Sequence, residues 1–519
     1  MTSGRTVRSS AGMLILALAL AAPARAEFVT LRTRDGSVAI TGQLAGFADG
    51  TYTLSTNIGI VSLPAAMVEC VGEGCPVLPD DDLRLVGSAA LSDRLVPSLL
   101  AAFAAGRGGG LSWRTPEGDM AFALKPEAEI GDGAAVVVTG GNAAGLDALL
   151  SRRADFALLS RRAFRSEAEE FAAAGQPGLR EWSREYTAAF DALVFSVHPA
   201  NPVTGIGVED AARVLSGAIR EWGALGGRPA PLVLYVSVDG SGSREMAADL
   251  LLDPRGLALS DAAVVLESDE AVGDAVRADP HAFGLTGIAQ GTGTRLAVGG
   301  TCGLETSPTP FAIRTGDYPL ARPLFLYGGT APSTVAREFL EFAVSPDGQA
   351  IASGSGLVPL AFASRSAAGE GLRLAAALEA ARTPGELAGV RDLAILLLSA
   401  ERLGATFRFE PGSAQLDPLS QADLFRLAAR LTEIAPNREV VFLGFSASTG
   451  DAGADLARSR ERAERVRGAV SAAWTPGEPE PRSRAVGFGH IFPVTCDEES
   501  GGNDRVEVWL RRLPADGGS

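Results

Sequence analysis

Short runs of alternating apolar and polar residues fill positions 27–80: Val29-Thr-Leu-Arg-Thr, Val38-Ala-Ile-Thr-Gly, Thr51-Tyr-Thr-Leu-Ser and Ile58-Gly-Ile-Val-Ser-Leu. A period of two places one face of each run toward a core, and Arg34-Asp-Gly-Ser and Ala48-Asp-Gly-Thr supply turn chemistry between runs, so the pattern predicts a small β module. Pro76 to Asp82 reads as a Pro- and Asp-rich linker. From 83 to 365 strands alternate with Ala/Leu-rich stretches of helical period, as in Leu83-Arg-Leu-Val followed by Arg94 to Ala104, and Leu232-Val-Leu-Tyr-Val followed by Ser243 to Leu252. That alternation predicts an α/β architecture. Residues 366–403 read as an amphipathic helical connector interrupted at Thr383-Pro384-Gly385. A final unit, 404–515, reads strand, helix, strand, helix, strand: Thr406 to Phe409, Pro418 to Glu433, Val440 to Phe445, Asp451 to Ala472 and Arg505 to Arg511.

Residues 1–26 have a different character. Arg5 and Arg8 precede the apolar run Met13 to Ala22, and Ala24-Arg25-Ala26 ends the segment, which is the layout of a secretory signal peptide. The run is about half the roughly 20 residues a membrane helix needs. Export makes the cysteines disulfide candidates. Cys70 and Cys75 flank Val-Gly-Glu-Gly, a loop short and glycine-rich enough to close locally, and Cys-x4-Cys without a nearby histidine is a weak metal signature. Cys302 and Cys496 are left unpaired.

Composition narrows the function. With 62 acidic against 46 basic residues and a formal charge of −16, the chain lacks the footprint of a nucleic-acid binder. Lys125, in Ala-Leu-Lys-Pro, is the only lysine, so neither a Walker A loop nor a Schiff-base site is available. The histidines are His198, His281 and His490, and no Gly-x-Ser-x-Gly elbow, His-Glu-x-x-His helix or Cys-x-x-Cys accompanies them. No catalytic constellation, metal site or cofactor is implied, and the chain reads as a non-enzyme.

The most informative phrase is Tyr235-Val-Ser-Val-Asp-Gly-Ser-Gly-Ser-Arg-Glu-Met. A strand that runs into a Gly/Ser turn opening a helix presents Ser241, Gly242 and Ser243, with hydroxyls and free backbone N–H groups, to an oxyanion. The same phrase also fits a Ser-capped helix in an ordinary α/β turn. Other phrases join it in order over about 280 residues: Val86-Gly-Ser-Ala-Ala with Leu95-Val-Pro-Ser-Leu-Leu-Ala-Ala-Phe; Ala154-Asp-Phe-Ala-Leu-Leu-Ser-Arg-Arg; Val194 to Val203; Leu215-Ser-Gly-Ala-Ile-Arg-Glu-Trp; Tyr318-Pro-Leu-Ala-Arg-Pro-Leu-Phe-Leu-Tyr; and Ser345-Pro-Asp-Gly-Gln. Together they resemble the PstS-like periplasmic phosphate-binding proteins of ABC transporters. The resemblance implies a two-lobed type II periplasmic-binding-protein fold over 83–365, a cleft that closes on a small oxyanion, phosphate first, and an ABC permease as partner. Carried over by position, Ser88, the Gly140 to Ala144 stretch, Ser160, Ser241, Gly242 and Ser243 would line the anion. The chain departs from the family twice. Ser237 stands where the family has an arginine, with Arg244 as a candidate substitute or a solvated first-turn residue. Arg161 stands near the family's proton-accepting aspartate, and Arg161 and Arg162 either contact a fully ionised anion or lie on the surface.

In 404–515, five phrases resemble the OmpA-like peptidoglycan-associated domain: Ala405-Thr-Phe-Arg-Phe-Glu-Pro-Gly-Ser-Ala-Gln-Leu-Asp, Gly444-Phe-Ser-Ala-Ser-Thr-Gly, Leu456-Ala-Arg-Ser-Arg-Glu-Arg-Ala-Glu-Arg-Val, Gly487-Phe-Gly-His-Ile-Phe-Pro and Asn503-Asp-Arg-Val-Glu-Val. The resemblance implies an α/β sandwich that grips the peptidoglycan stem with an arginine and an aspartate. Arg462 matches the arginine, whereas Ala447 replaces the aspartate; Asp451 and Asp455 are nearby acids that also read as first-turn helix residues. The expectation is therefore a multidomain α/β protein of the periplasm, associated with the cell wall or outer membrane, that binds an oxyanion. The competing expectation is a structural envelope protein with a degenerate cleft.

Overall fold

The computed structural model describes residues 28–513 except 34–37, 49–50, 58, 65–67, 73–74, 76–81, 127, 129, 131–132, 300–303, 331, 434–437, 475–479 and 496–501. The leader, most of the 76–82 linker, the Arg34-Asp-Gly turn, Cys302 and Cys496 lie outside the described residues. No helix among the described residues is long and apolar enough to cross a membrane. Chain contacts divide the protein into two compact units, Met1–Asp80 and Asp81–Ser519.

In the first unit, strands Phe28–Thr33, Ala39–Ala48, Thr51–Thr56, Gly59–Pro64 and Val68–Val71 form one sheet in which the first strand lies between the second and the fifth. Every pairing is antiparallel. The alternation puts Val29, Leu31, Tyr52, Leu54 and Val68 into a shared core. That core is small. A disulfide joins Cys70 to Cys75 with Cα atoms 5.8 Å apart, and Cys75 N–H also donates to Gly72 O across the same turn. By the loop-closure argument the bridge contributes about 2 kcal/mol. Cys75→Ser should lower the unfolding free energy of this unit by about 2 kcal/mol, read from urea denaturation with and without reductant; an unchanged midpoint would show that the β core alone holds the turn.

In the second unit, an 11-stranded sheet carries two lobes, because two of its strands pass from one to the other. Strand Glu185–Val197 is 13 residues long. Its first part pairs with Ala321–Gly328 and its second part with Ala282–Gly287. It is buried along almost its whole length, which is why it reads as a continuous apolar run. One lobe gathers the parallel strands Leu83–Gly87, Ala134–Thr139 and Phe156–Leu159 around Leu85, Leu99, Val137, Phe156 and Phe339. The other gathers Val233–Ser237, Val264–Leu266 and Ala282–Gly287 around Phe195, Trp222, Val236, Met246 and Phe283. The crossing point is marked by charge, since Asp191 and Arg322 are register partners on the two crossing strands.

The C-terminal part is a five-stranded sheet, in order Ser364–Ser366, Ala400–Arg408, Arg505–Arg512, Arg438–Phe445 and Ser483–Gly487. Helices Pro418–Thr432 and Ala452–Ala472 cover one face through Leu427, Leu431, Ala463 and Val466 against Val440, Phe442, Val506 and Val508. The opposite face is covered too. Helices Gly371–Ala380 and Pro384–Leu397 pack Ala377, Val390, Leu393 and Leu397 against Val441, Leu443, Phe445 and Trp509. The 366–403 stretch is therefore a layer of this domain rather than a connector, and the first long strand begins at Ala400 rather than Thr406. The cause lies in Arg438–Phe445, which is apolar on both faces and cannot leave either in water. Helix Pro384–Leu397 starts where expected, at a capping box formed by Thr383 and Glu386.

Charged contacts bind this sandwich to the lobes. Arg314 makes a buried bidentate pair with Asp423 at 2.7 and 2.8 Å. Arg162, on the first lobe, bonds Glu410 at 2.6 Å. Arg402 meets Asp317 and Glu507 inside a cluster in which Arg402, Arg505, Glu370 and Glu507 are fully buried.

Candidate functional site

The cleft begins at the end of strand Leu83–Gly87. Gly87 has φ of 154°, and a Cβ there would lie 2.1 Å from Leu158 O on the neighbouring strand, so only glycine lets the two strands approach this closely. Ser88 follows, fully buried; its N–H donates to Leu158 O, and its Oγ accepts from Ala90 N–H at 3.3 Å as the cap of the next helix. The same Oγ donates to Glu245 Oε2 on the other lobe at 3.4 Å. Gly87→Ala should cost about 1–3 kcal/mol and displace Ser88. A thermal melt and an anion titration check this; full stability in the variant would mean the strands tolerate separation.

Ser160 is held by Asn142 of the Gly140 to Ala144 stretch, which accepts from Ser160 N–H at 2.9 Å and donates to its Oγ at 3.1 Å. Arg161 is engaged elsewhere: both terminal nitrogens bond Glu167, at 2.9 and 2.7 Å, and the guanidinium lies 3.7 Å from the Phe164 ring centroid. The Glu167 hydrogen bond raises its pKa above the usual arginine value. Arg162 likewise pairs with Glu185 and Glu410.

On the second lobe, Ser241 caps helix Gly242–Ala247 and accepts from Arg244 N–H. Ser237, which occupies the arginine position, has become part of a serine cluster. Its Oγ lies 2.6 Å from Ser241 Oγ and 3.0 Å from Ser243 Oγ, and it donates to Asp269 Oδ1 at 2.8 Å. Ser243 donates to the same carboxylate oxygen at 2.6 Å. Asp269 is held in place by Gly287 N–H at 2.8 Å. Ser243, expected to offer its hydroxyl proton to an anion, donates it here to Asp269. Arg244 pairs with exposed Asp239 at 3.5 Å and does not supply the missing charge.

A cation absent from the sequence expectation sits at the crossing point. Arg322 is 5% exposed. Its Nη2 donates to Gly242 O at 3.3 Å and lies 3.7 Å from Asp191 Oδ2, and its Nη1 lies 3.9 Å from Glu245 Oε2. Arg94 also reaches Asp191, at 3.8 Å. Arg322 Nε and Nη1 have no hydrogen-bond partner among the described residues. Burial lowers the pKa of Arg322, and it raises those of Glu245 and Asp249, whose charges face it. A buried guanidinium with unused donors attracts an anion strongly, because water no longer screens or satisfies it. Ser88, Gly242, Arg322 and Glu245 therefore converge between the lobes, while Ser160 stays with Asn142 and Arg161 with Glu167. The sequence did carry one signal for Arg322: a lone charge inside the apolar strand Ala321–Gly328.

A cavity of about 980 Å³ lies elsewhere, between the second lobe and the C-terminal sandwich. It shares none of these residues, and two of its arginines, Arg255 and Arg314, are paired with Glu209 and Asp423. No group of three or more His, Cys, Asp or Glu side chains among the described residues is arranged to hold a metal.

In the C-terminal sandwich, Arg462 pairs through both terminal nitrogens with Asp504, whose Oδ1 also accepts Ala447 N–H at 2.8 Å. Asp504, of the Asn503-Asp-Arg phrase, thus sets a carboxylate beside Ala447. Asp451 caps helix Ala452–Ala472. Asp455 is fully buried and bonds Thr449 and His490, so neither acid faces Arg462. Hydrogen bonds from Thr449 and His490 hold the Asp455 pKa below the usual aspartate value despite desolvation.

Comparison with known proteins places a class on this architecture. Residues 120–347 match the PBP superfamily domain model. One relative is the phosphate-binding protein PstS of Borreliella burgdorferi, 25% identical over 230 residues, which span 42% of this chain and 77% of that protein. Among solved structures, an ABC-type phosphate transport receptor from Vibrio cholerae is 22% identical, covering 53% of this chain and 99% of its own, with a TM-score of 0.42. PstS from Borrelia burgdorferi is 21% identical, covering 54% and 98%, with a TM-score of 0.41. These relatives are named as binding proteins and transport receptors, not as enzymes.

Proposed function

We propose that this protein binds a small oxyanion, phosphate first, in the cleft between its two lobes, in the periplasm and without chemical turnover. The observation that carries this reading is Arg322, a buried guanidinium at the cleft floor whose Nε and Nη1 make no hydrogen bond among the described residues, beside Ser88 and the Gly242 turn. The similarity to PstS over 230 residues supports phosphate as the anion; an ABC permease as partner is what the family resemblance implies. Ser160, Ser241 and Ser243 then shape the site's wall, and Arg161 acts through Glu167 rather than on the ligand. Calorimetric titration of the mature chain with phosphate and, separately, sulfate tests the reading. Saturable heat with phosphate is the expected result.

The C-terminal sandwich, by its resemblance to OmpA-like domains, would hold the protein at the peptidoglycan or outer membrane. Arg462 and Asp504 form an opposed-charge pair suited to the carboxylate and ammonium of a zwitterionic stem residue. Co-sedimentation with insoluble peptidoglycan should be lost in Arg462→Ala; retention would place wall contact elsewhere or nowhere.

A structural envelope protein with a retired cleft is the second reading. It is favoured by one observation, the commitment of both Ser237 and Ser243 hydroxyl protons to Asp269. Absence of heat with either anion would move the conclusion there.

A further inference from the structure

The donors that an anion needs are not idle in this structure. Ser88 Oγ on the first lobe and Arg322 Nη1 at the crossing point both address one atom, Glu245 Oε2, on the second lobe. We propose that Glu245 is an internal surrogate for the anion, a carboxylate latch that links the lobes and competes with the incoming ligand. This inference rests on the oxyanion reading of the cleft.

Three features support it. First, the latch spans the cleft, since Ser88 belongs to the helix cap that follows strand Leu83–Gly87, whereas Glu245 rides on helix Gly242–Ala247 of the other lobe. Second, its contacts are long, 3.4 Å to Ser88 and 3.9 Å to Arg322, and they leave Arg322 Nε and Nη1 without hydrogen bonds. A tetrahedral oxyanion that satisfies those donors at ordinary distances would exchange weak contacts for strong ones and so displace the carboxylate. Third, Glu245 is two-thirds covered and shares the cleft with Asp191, Asp249 and Asp269, so a bound dianion would face its charge at close range in a medium that screens poorly. Carboxylate and ligand therefore exclude each other from the same donors. The device sets a threshold, because an anion must out-compete a built-in one before it is held.

The test pairs two measurements on the full mature chain. In calorimetric titration with inorganic phosphate, Glu245→Gln and Glu245→Ala should each bind at least about tenfold more tightly than the wild type, because the competing charge is gone. An unchanged affinity overturns the latch. A weaker affinity also overturns it, since that is the result expected of a glutamate that helps to hold the ligand. The second measurement needs no ligand: in anion-free buffer, backbone amides of 88–92 and 242–247 should exchange hydrogen at least about tenfold faster in Glu245→Ala than in the wild type. Equal exchange overturns the latch whatever the titration shows. If no form takes up phosphate or sulfate while exchange accelerates in Glu245→Ala, the oxyanion reading fails and the latch survives as a lobe-to-lobe contact.

Discussion

Phosphate binding should fall by at least about 100-fold when Arg322 is replaced by methionine. Removing one partner from a buried, hydrogen-bonded charge site costs about 2–5 kcal/mol, which is a loss of tens- to thousands-fold in affinity. The upper part of that range applies because Arg322 is nearly inaccessible, whereas Arg94, which approaches the same Asp191 oxygen, is more exposed. Arg161 is tied to Glu167, Arg244 faces Asp239, and Arg94 contacts Asp191 and Ser355 O. Methionine preserves much of the side-chain length and apolar volume, and a melting curve on the same sample separates lost binding from lost folding. Asp191 and Glu245 would also lose a counter-charge, so a modest fall in stability accompanies the change. A variant that still binds phosphate as tightly as the wild type would remove Arg322 from the site and leave the cleft without a cation.

The largest stability effect is expected away from the cleft. Arg402 is fully buried and lies against Asp317, Glu370 and Glu507, with Arg365, Arg373 and Arg505 around the same acids. Arg402→Met leaves buried carboxylates short of a counter-charge, and breaking such a pair from one side typically costs about 3–5 kcal/mol. Denaturant midpoints at neutral pH measure it; a loss below about 1 kcal/mol would mean that the remaining arginines compensate.

The same cluster sets an acid limit. Arg402 and Arg373 hold the Asp317 pKa at about 2 and the Glu507 pKa well below the usual glutamate value, against desolvation that acts the other way. Acids whose folded pKa is depressed contribute stability above their unfolded values, near 4, and lose it as pH falls through the folded ones. Wild-type stability should therefore decline between about pH 4 and pH 2, and in Arg402→Met, whose acids are less depressed in the folded state, that decline should be smaller. Unfolding curves at several pH values decide this.

Local pattern made much of this protein legible. Alternation exposed the N-terminal strands, the strand–helix rhythm of 83–365 showed the lobes, and the five-residue Cys70 to Cys75 spacing marked the disulfide. Such features depend on neighbours in the chain, where periodicity and turn residues act directly. The sequence does not distinguish a connector from a covering layer at 366–403, because amphipathic helices look alike whether they link domains or cover a sheet. Only the two-faced apolar strand Arg438–Phe445, met in space, shows that Gly371–Ala380 and Pro384–Leu397 are a structural layer.

The site followed the same division. Sequence alone marked the turns carrying Ser88 and Ser241, because each needs glycine and serine at fixed offsets from a strand end. It also showed that the arginine before the Asp-Gly-Ser-Gly phrase had been replaced by Ser237. Which charged groups lie near it was decided by tertiary structure. Arg322 lies 85 positions beyond Ser237 in the chain, yet the pairing of Glu185–Val197 with Ala321–Gly328 sets it opposite Asp191 at the cleft floor. Register between distant strands also brings Asp504 to Arg462 and Glu245 to Ser88. Hydrogen bonds and ion pairs are short-ranged, so the role of each charged group depends on which partners the fold places within a few ångströms, a quantity that spacing along the chain does not encode.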